Sequence, residues 1–426
     1  MKWIPKFRFS LRTLLIASAV LGVVFAVVGV KVNRARQQKE VADWVSENGG
    51  ETYYRYELWR RVKMPELGWR RSLLGELRFD SIAEVGIYSS DITDISPLLK
   101  LKSLKGLYIK CPQLTDISPI EHLTSLETFY LLETPVSDYS PITKLKNLEK
   151  IQLAGSQVSD ISYLSDLTKL QWVSLYDTQV SDLSPLSQLT DMRNLKLVSP
   201  AGSIKTSQIS DLSPLSNLKK LSRIELPGTP VADLSPLAHL PYLDSIDIKD
   251  TLVSDFSPLS DLQELRSIDA SGTLVTDLTP LAQLPNLDSL TIKDTQVSDL
   301  SPLSNIEGLR RLDISGTPVS DLSPLSKLKK LDEINASGTR VTDISPLAQL
   351  PELVSINIKD TQVSDLSPLS KLEDIQNLDI SNTPVVDLSP LIGLELYSLI
   401  LNNTKITKEE IAKLQKAIPY CEIVGP

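Results

Sequence analysis

A five-residue phrase, in its commonest form Asp-Leu-Ser-Pro-Leu, returns along this chain at a fixed interval, and nothing else narrows the possible folds as far. Asp321-Leu322-Ser323-Pro324-Leu325 is followed 22 residues later by Asp343-Ile344-Ser345-Pro346-Leu347. The proline of the phrase stands at 97, 119, 141, 185, 214, 236, 258, 280, 302, 324, 346, 368 and 390, and Tyr163 fills the one slot without it. These positions define fourteen units, all spaced by 22 residues except for a seven-residue insertion near 198–208. A unit this short cannot bury an apolar side alone. Stacked on its neighbours it buries a continuous core, which is the logic of a solenoid.

One coil, Leu167 to Gln188, illustrates the design. Its apolar positions are Leu167, Leu170, Val173, Leu175, Val180, Leu183 and Leu186. Val173-Ser174-Leu175 alternates, so it reads as a short strand with 173 and 175 pointing inward. Ser184 is expected as an N-cap and Pro185 as the first residue of a helical turn, where its missing N–H costs nothing. Pairing each strand with the next gives a parallel ladder. The expected fold class is an α/β solenoid, a curved array with a parallel β-sheet on its concave face, preceded by an N-terminal transmembrane helix.

Leu14 to Val30 is uncharged and almost wholly apolar, and Leu11 and Val32 lengthen the run to about 11–32. Roughly 20 residues cross a hydrocarbon core of ~30 Å. Ala17-Ser18-Ala19 also has the form of a signal-peptidase site, but the apolar run continues past it, so residues 1–36 are expected to form an uncleaved anchor. Four basic residues stand on each side: Lys2, Lys6, Arg8 and Arg12, then Lys31, Arg34, Arg36 and Lys39. A short basic N-terminus is readily retained inside, so a single-pass topology with an extracytoplasmic repeat domain is expected.

Residues 37–76 read as a juxtamembrane segment and N-terminal cap. Within and around it, Arg34–Glu47 reads as a charged amphipathic helix closed by Gly49-Gly50, Glu51–Trp59 as a strand, and Pro65–Leu77 as a helix. The repeats are assigned to 77–404 and a C-terminal cap to 405–426. In that cap Thr407 and Glu410 have capping-box spacing before a helix, and Cys421–Val424 could add a last strand.

The net charge of −9 argues against nucleic acid, which selects a basic surface. Two histidines, His122 and His239, leave little material for metal or acid–base chemistry, and no nucleotide, hydrolase or metalloprotease motif occurs. Neither enzyme activity nor a cofactor nor a metal is expected. Two cysteines make no disulfide framework; Cys111 lies in the second unit and Cys421 beyond the fourteenth, so both are expected to be reduced.

Fourteen aspartates share one slot of the repeat: Asp94, Asp116, Asp138, Asp160, Asp182, Asp211, Asp233, Asp255, Asp277, Asp299, Asp321, Asp343, Asp365 and Asp387. Stacked about 5 Å apart, neighbours would repel by roughly 0.8 kcal/mol in water, so each carboxylate is expected to be held by turn N–H groups, as an Asx turn does. A row of cation sites is disfavoured, since each unit offers one carboxylate where calcium takes six to eight oxygens. On the outward strand face the later units carry small or charged residues, such as Asp247, Lys249, Asp269 and Arg311, and read as solvated. The early units instead project Tyr108, Tyr130, Leu132, Trp172 and Tyr176, the residue types that binding hot spots use.

The frame L-x-x-L-x-x-L-x-L-x-x-T-x-V-S-D-L-S-P-L resembles the 22-residue leucine-rich repeat of the internalin and SDS22-like class, over roughly residues 77–404. The leader RFSLRTLL looks like that of many membrane-anchored bacterial proteins. The resemblance implies a leucine-rich-repeat fold and non-covalent recognition or scaffolding of protein at the cell envelope. Two departures matter. The class usually has Asn where this chain has threonines such as Thr178, Thr229 and Thr361, and a hydroxyl makes fewer bonds than an amide. Internalins also carry C-terminal β-domains and wall-attachment signals, neither of which is seen here, so an adhesin or invasin role is not expected. The alternatives are an envelope component binding glycan or peptidoglycan and a cytoplasmic-facing SDS22-like regulator.

Overall fold

The computed structural model describes residues 11–54, 82–155, 158–198 and 208–425. They fall into two compact units, residues 1–148 and 149–426.

The first unit opens with α1 (Leu11–Glu47), a single helix of 37 residues. At 1.5 Å per residue it is about 55 Å long, enough for a bilayer span plus several turns beyond it. The charged amphipathic helix expected over Arg34–Glu47 is present, as the continuation of the apolar one. No proline stands anywhere in α1, so nothing breaks the backbone ladder at Lys31–Arg34. Residues 11–34 are exposed on every side, whereas Gln38, Val41 and Val45 are buried. Gln38 accepts the N–H of Ile82 at 3.3 Å, and Glu40 pairs with Lys100 at 2.8 Å, which ties the end of α1 to the first coil.

Four strands follow: β1 (Glu51–Tyr54), β2 (Ile82–Ile87), β3 (Gly106–Lys110) and β4 (Thr128–Leu132). β1 runs antiparallel to β2, and β2, β3 and β4 are parallel in unbroken register. Of the strand expected over Glu51–Trp59, the first four residues form β1 and the rest lie outside the described residues, as does the expected helix Pro65–Leu77.

The second unit stacks β5 (Lys150–Ala154), β6 (Trp172–Tyr176), β7 (Asn194–Val198), β8 (Arg223–Glu225), β9 (Ser245–Asp247), β10 (Ser267–Asp269) and β11 (Ser289–Thr291). The ladder goes on with β12 (Arg311–Asp313), β13 (Glu333–Asn335), β14 (Ser355–Asn357), β15 (Asn377–Asp379), β16 (Ser398–Ile400) and β17 (Glu422–Val424). Each is parallel to the next, in sequence order. The insertion lies between β7 and β8, and its residues 199–207 are outside the described set. Helix α2 (Lys408–Ala417) precedes β17, which covers the edge of β16. Thr407 caps α2 by accepting the Glu410 N–H at 3.2 Å, while the Glu410 carboxylate turns to Lys413 at 2.6 Å.

The coil has a constant anatomy. The seven apolar positions of the 167–188 coil are each at most 2% exposed. A buried leucine is worth about 1.5–3 kcal/mol relative to exposure, so this internal column is the main force holding the stack. After the strand comes a residue with positive φ, for example Asp250, Gly272, Asp294, Gly316, Asp360 and Asn382, all between +55° and +68°. Only Gly, Asn and Asp take that conformation cheaply. The threonine after it is buried, and from Thr229 to Thr404 nine threonine hydroxyls donate to the carbonyl three residues back at 2.6–2.8 Å. Threonine thus satisfies the turn with one bond where the related class uses an amide.

The Ser-Pro-Leu phrase forms a 3-10 turn in every unit, including Ser162–Leu164, where tyrosine replaces proline. Ser184 is not its N-cap. Leu183 holds that position and makes no side-chain cap bond. The cap comes from one residue earlier: Asp182 accepts the Ser184 N–H at 2.8 Å. All fourteen slot aspartates do the same, at 2.7–2.9 Å. The Ser184 hydroxyl and then its N–H hold the Asp182 carboxyl below the usual range, against a weaker push upward from Asp211. The bonds to the turn outweigh the repulsion along the row.

Candidate functional site

The strand register sorts the outward side chains of the first unit into rows. Glu84, Gly106 and Thr128 are partners across β2–β4, as are Gly86, Tyr108 and Tyr130, and Lys110 with Leu132. Two of these positions are glycine, and each leaves room for a neighbour to lie flat. A Cβ on Gly86 would stand 2.8 Å from the Tyr88 hydroxyl, and one on Gly106 would stand 2.8 Å from Glu84 Cγ. Tyr88 and Glu84 therefore rest over bare backbone.

The Tyr108 hydroxyl donates to Glu84 Oε2 at 3.1 Å. The rings of Tyr108 and Tyr130 meet edge to face, with centroids 5.0 Å apart and planes at 87°. Both are half-buried, whereas Tyr88 is 51% exposed. Burial, reinforced by the Glu84 charge, pushes both Tyr108 and Tyr130 phenols upward, and burial with Glu51 does the same for Tyr88. Tyr53, beside them on β1, donates its hydroxyl to Glu51. All these phenols stay neutral donors at physiological pH.

Of the five expected patch residues, Tyr108 and Tyr130 are in ring contact, and Leu132 lies on the same outward face two residues past Tyr130. In the second unit, Trp172 and Tyr176 sit at the two ends of the outward row of β6, with buried Ser174 between them. Lys150, Trp172 and Asn194 are register partners, as are Ala154 and Tyr176. Trp172, Tyr176 and Leu132 are each half-buried.

Glu84 and Tyr88 were not singled out from sequence. The signal is present in Ala83-Glu84-Val85-Gly86-Ile87-Tyr88, whose alternation turns 84, 86 and 88 outward.

Further along the second unit the same face is polar, but it is not simply solvated. Asp247, Asp269, Asp313, Asn335, Asn357 and Asp379 are half-buried, and each accepts the N–H two residues on, at 2.8–3.2 Å. Asn335 also donates to Asp313 at 3.0 Å. Burial raises the Asp247 carboxyl. Arg193, Lys220, Ser222, Tyr242, Asp244, Glu264 and Arg266 line a shallow open groove on the flank of these coils, with Lys220 paired to Asp191 at 2.6 Å.

Both histidines are exposed. Cys111 and Cys421 are free and buried, and burial raises both thiols. Among the described residues no three His, Cys, Asp or Glu side chains cluster closely enough to hold a metal ion.

The parallel ladder with one 3-10 turn per coil has clear counterparts. An internalin, InlF, of Listeria monocytogenes is 27% identical, with a TM-score of 0.63 over 79% of this chain and 93% of that one. The chain folds as a leucine-rich-repeat solenoid. The leucine-rich-repeat family model (leucine rich repeats, two copies) matches residues 307–349. Two further structures share the fold at lower identity. A leucine-rich-repeat protein of Leptospira interrogans is 18% identical, with a TM-score of 0.59 over 78% of this chain and 98% of that one. The plant peptide hormone receptor RGFR1, solved in complex with RGF2, is 16% identical, with a TM-score of 0.58 over 81% and 61%. A search of curated proteins finds no match.

Proposed function

We propose that this leucine-rich-repeat protein is a non-catalytic, membrane-anchored recognition or scaffolding protein that binds a protein partner at the cell envelope. The observation that carries the reading is the change in outward strand residues along the array. Tyr88, Tyr108, Tyr130 and Leu132 in the first unit, and Trp172 and Tyr176 at the start of the second, occupy positions that from β9 to β15 hold Ser, Asp, Asn, Thr, Arg, Lys or Glu. Rigid aromatics offer large contact area at low entropic cost, which suits a partner surface. The plant receptor in complex with its peptide is a fold relative that binds polypeptide, which supports the same use here.

In this reading α1 is an uncleaved anchor. Its exposed apolar residues 11–32 cross the bilayer, and its buried C-terminal turns, with β1, cap the first coil. The repeats lie outside the inner membrane. The slot aspartates are structural, each spent on its own turn.

Two experiments test the proposal. Full-length chain is cross-linked in native envelopes and purified beside the triple variant Tyr130→Ala/Trp172→Ala/Tyr176→Ala, with the folding of both checked by circular dichroism. A defined protein partner retained by the wild type and lost by the variant is expected. A glycan as the retained species would replace the protein reading. In intact cells, a cysteine placed at exposed Lys371 should react with a membrane-impermeant maleimide. Labelling only after lysis would put the repeats in the cytoplasm.

A further inference from the structure

We infer that the outward face of the first three coils receives a basic side chain, lysine or arginine, of the protein partner, in the recess formed by Glu84, Tyr88, Tyr108 and Tyr130. The inference rests on the recognition reading above for the source of that side chain, but the recess is defined by this chain alone.

The charge pattern around it is selective. Three glutamates of the first unit have lysine partners: Glu40 with Lys100 at 2.8 Å, Glu127 with Lys105 at 2.5 Å, and Glu133 with Lys110 at 2.8 Å. Glu84 forms no ion pair among the described residues; its contact is the neutral hydroxyl of Tyr108. A half-buried carboxylate held by one neutral donor gains most from a cation.

Geometry concentrates this charge. Because Gly106 has no side chain, Glu84 lies along the sheet toward Tyr108; because Gly86 has none, Tyr88 lies back toward the same spot. Tyr130 abuts Tyr108 from the far side. Three electron-rich rings and the Glu84 carboxylate thus converge, with the Glu51 carboxylate also acting on Tyr88. A cation over tyrosine rings is attracted by their quadrupoles, and a nearby carboxylate adds to that. The same groups disfavour other ligands. An anion meets the Glu84 charge, and a purely apolar group would strip water from that carboxylate without replacing it.

The test uses full-length protein in detergent and two small probes, N-acetyl-arginine amide and its uncharged isostere N-acetyl-citrulline amide, with N-acetyl-lysine amide as a third. Binding is read by saturation-transfer NMR and by tyrosine difference absorbance at low salt. The charged probes should bind about fivefold or more tighter than the citrulline probe. Glu84→Gln should erase that preference, and Tyr130→Leu should weaken the charged probes by a similar factor while circular dichroism stays unchanged. Equal binding of arginine and citrulline probes by the wild type, or a preference that survives in Glu84→Gln, overturns the inference. No partner is needed in this assay, so its failure is separate from failure of the recognition reading.

Discussion

The Tyr108 hydroxyl donates to Glu84 Oε2 at 3.1 Å, joining neighbouring coils across the outward face of the sheet. Burial first, then the Glu84 charge and this bond, pushes the Tyr108 phenol far above its ordinary value. A group whose folded pKa is raised contributes stability that is fully present below its unfolded value, about 10, and is lost as pH rises through the folded value. Tyrosinate absorbance on alkaline titration should therefore show a late-ionising tyrosine that is missing in Tyr108→Phe. The wild type should lose its stability advantage over that variant only above about pH 10.

The slot aspartates act as caps. Asp255→Ala removes the acceptor of the Ser257 N–H, now at 2.8 Å, and should lower stability by about 1 kcal/mol in urea melts. Asp255→Asn keeps an acceptor and should cost less. The Ser257 hydroxyl and N–H hold the Asp255 carboxyl below its usual range. The contribution of its charge is thus present above the unfolded carboxylate value, about 3.9, and fades as pH falls through the lower folded value. The gap between wild type and Asp255→Asn should close in acid.

Asp247 is the opposite case. Burial raises its carboxyl, so its charge works against folding at neutral pH. Asn335 and Asn357 occupy the equivalent strand position and make the same bond to the N–H two residues on. Asp247→Asn should therefore raise the melting temperature slightly at pH 7. The gain should vanish below about pH 4, where the carboxyl is protonated in both folded and unfolded states.

Gly316 is fixed by two constraints. Its φ is +68°, and an added Cβ would stand 2.1 Å from Asp294 Oδ1 on the preceding coil. Gly316→Ala should cost about 1–2 kcal/mol for the left-handed backbone plus the clash. Adding Asp294→Gly should recover the second part and not the first, which a double-mutant cycle in urea separates.

The coil architecture is legible in the sequence because each position in the repeat answers to one physical demand. The leucines report the core, and the Asp/Gly/Asn-Thr pair reports the left-handed turn. The cap of the 3-10 turn is not legible, because both Ser184 and Asp182 are capping residue types and spacing alone does not say which oxygen reaches the N–H. The continuity of α1 was obscured by a change of composition near Lys31, from membrane-like to charged, which changes the solvent of a helix without ending it. The aromatic positions were legible as outward-facing, since strand alternation decides that. Their clustering was less so. It depends on Gly86 and Gly106, whose role is to be absent, and on a glutamate that only the register brings beside Tyr108.

Site-specific photo-cross-linking in native envelopes addresses the central claim most directly. A photoreactive amino acid is placed at Trp172 or Tyr130, and, as a control, at Thr291 on the polar part of the face. The recognition account predicts one discrete protein adduct from 130 and 172, with little or none from 291. Adducts that are absent at all three sites, or equally abundant at all three, would contradict it.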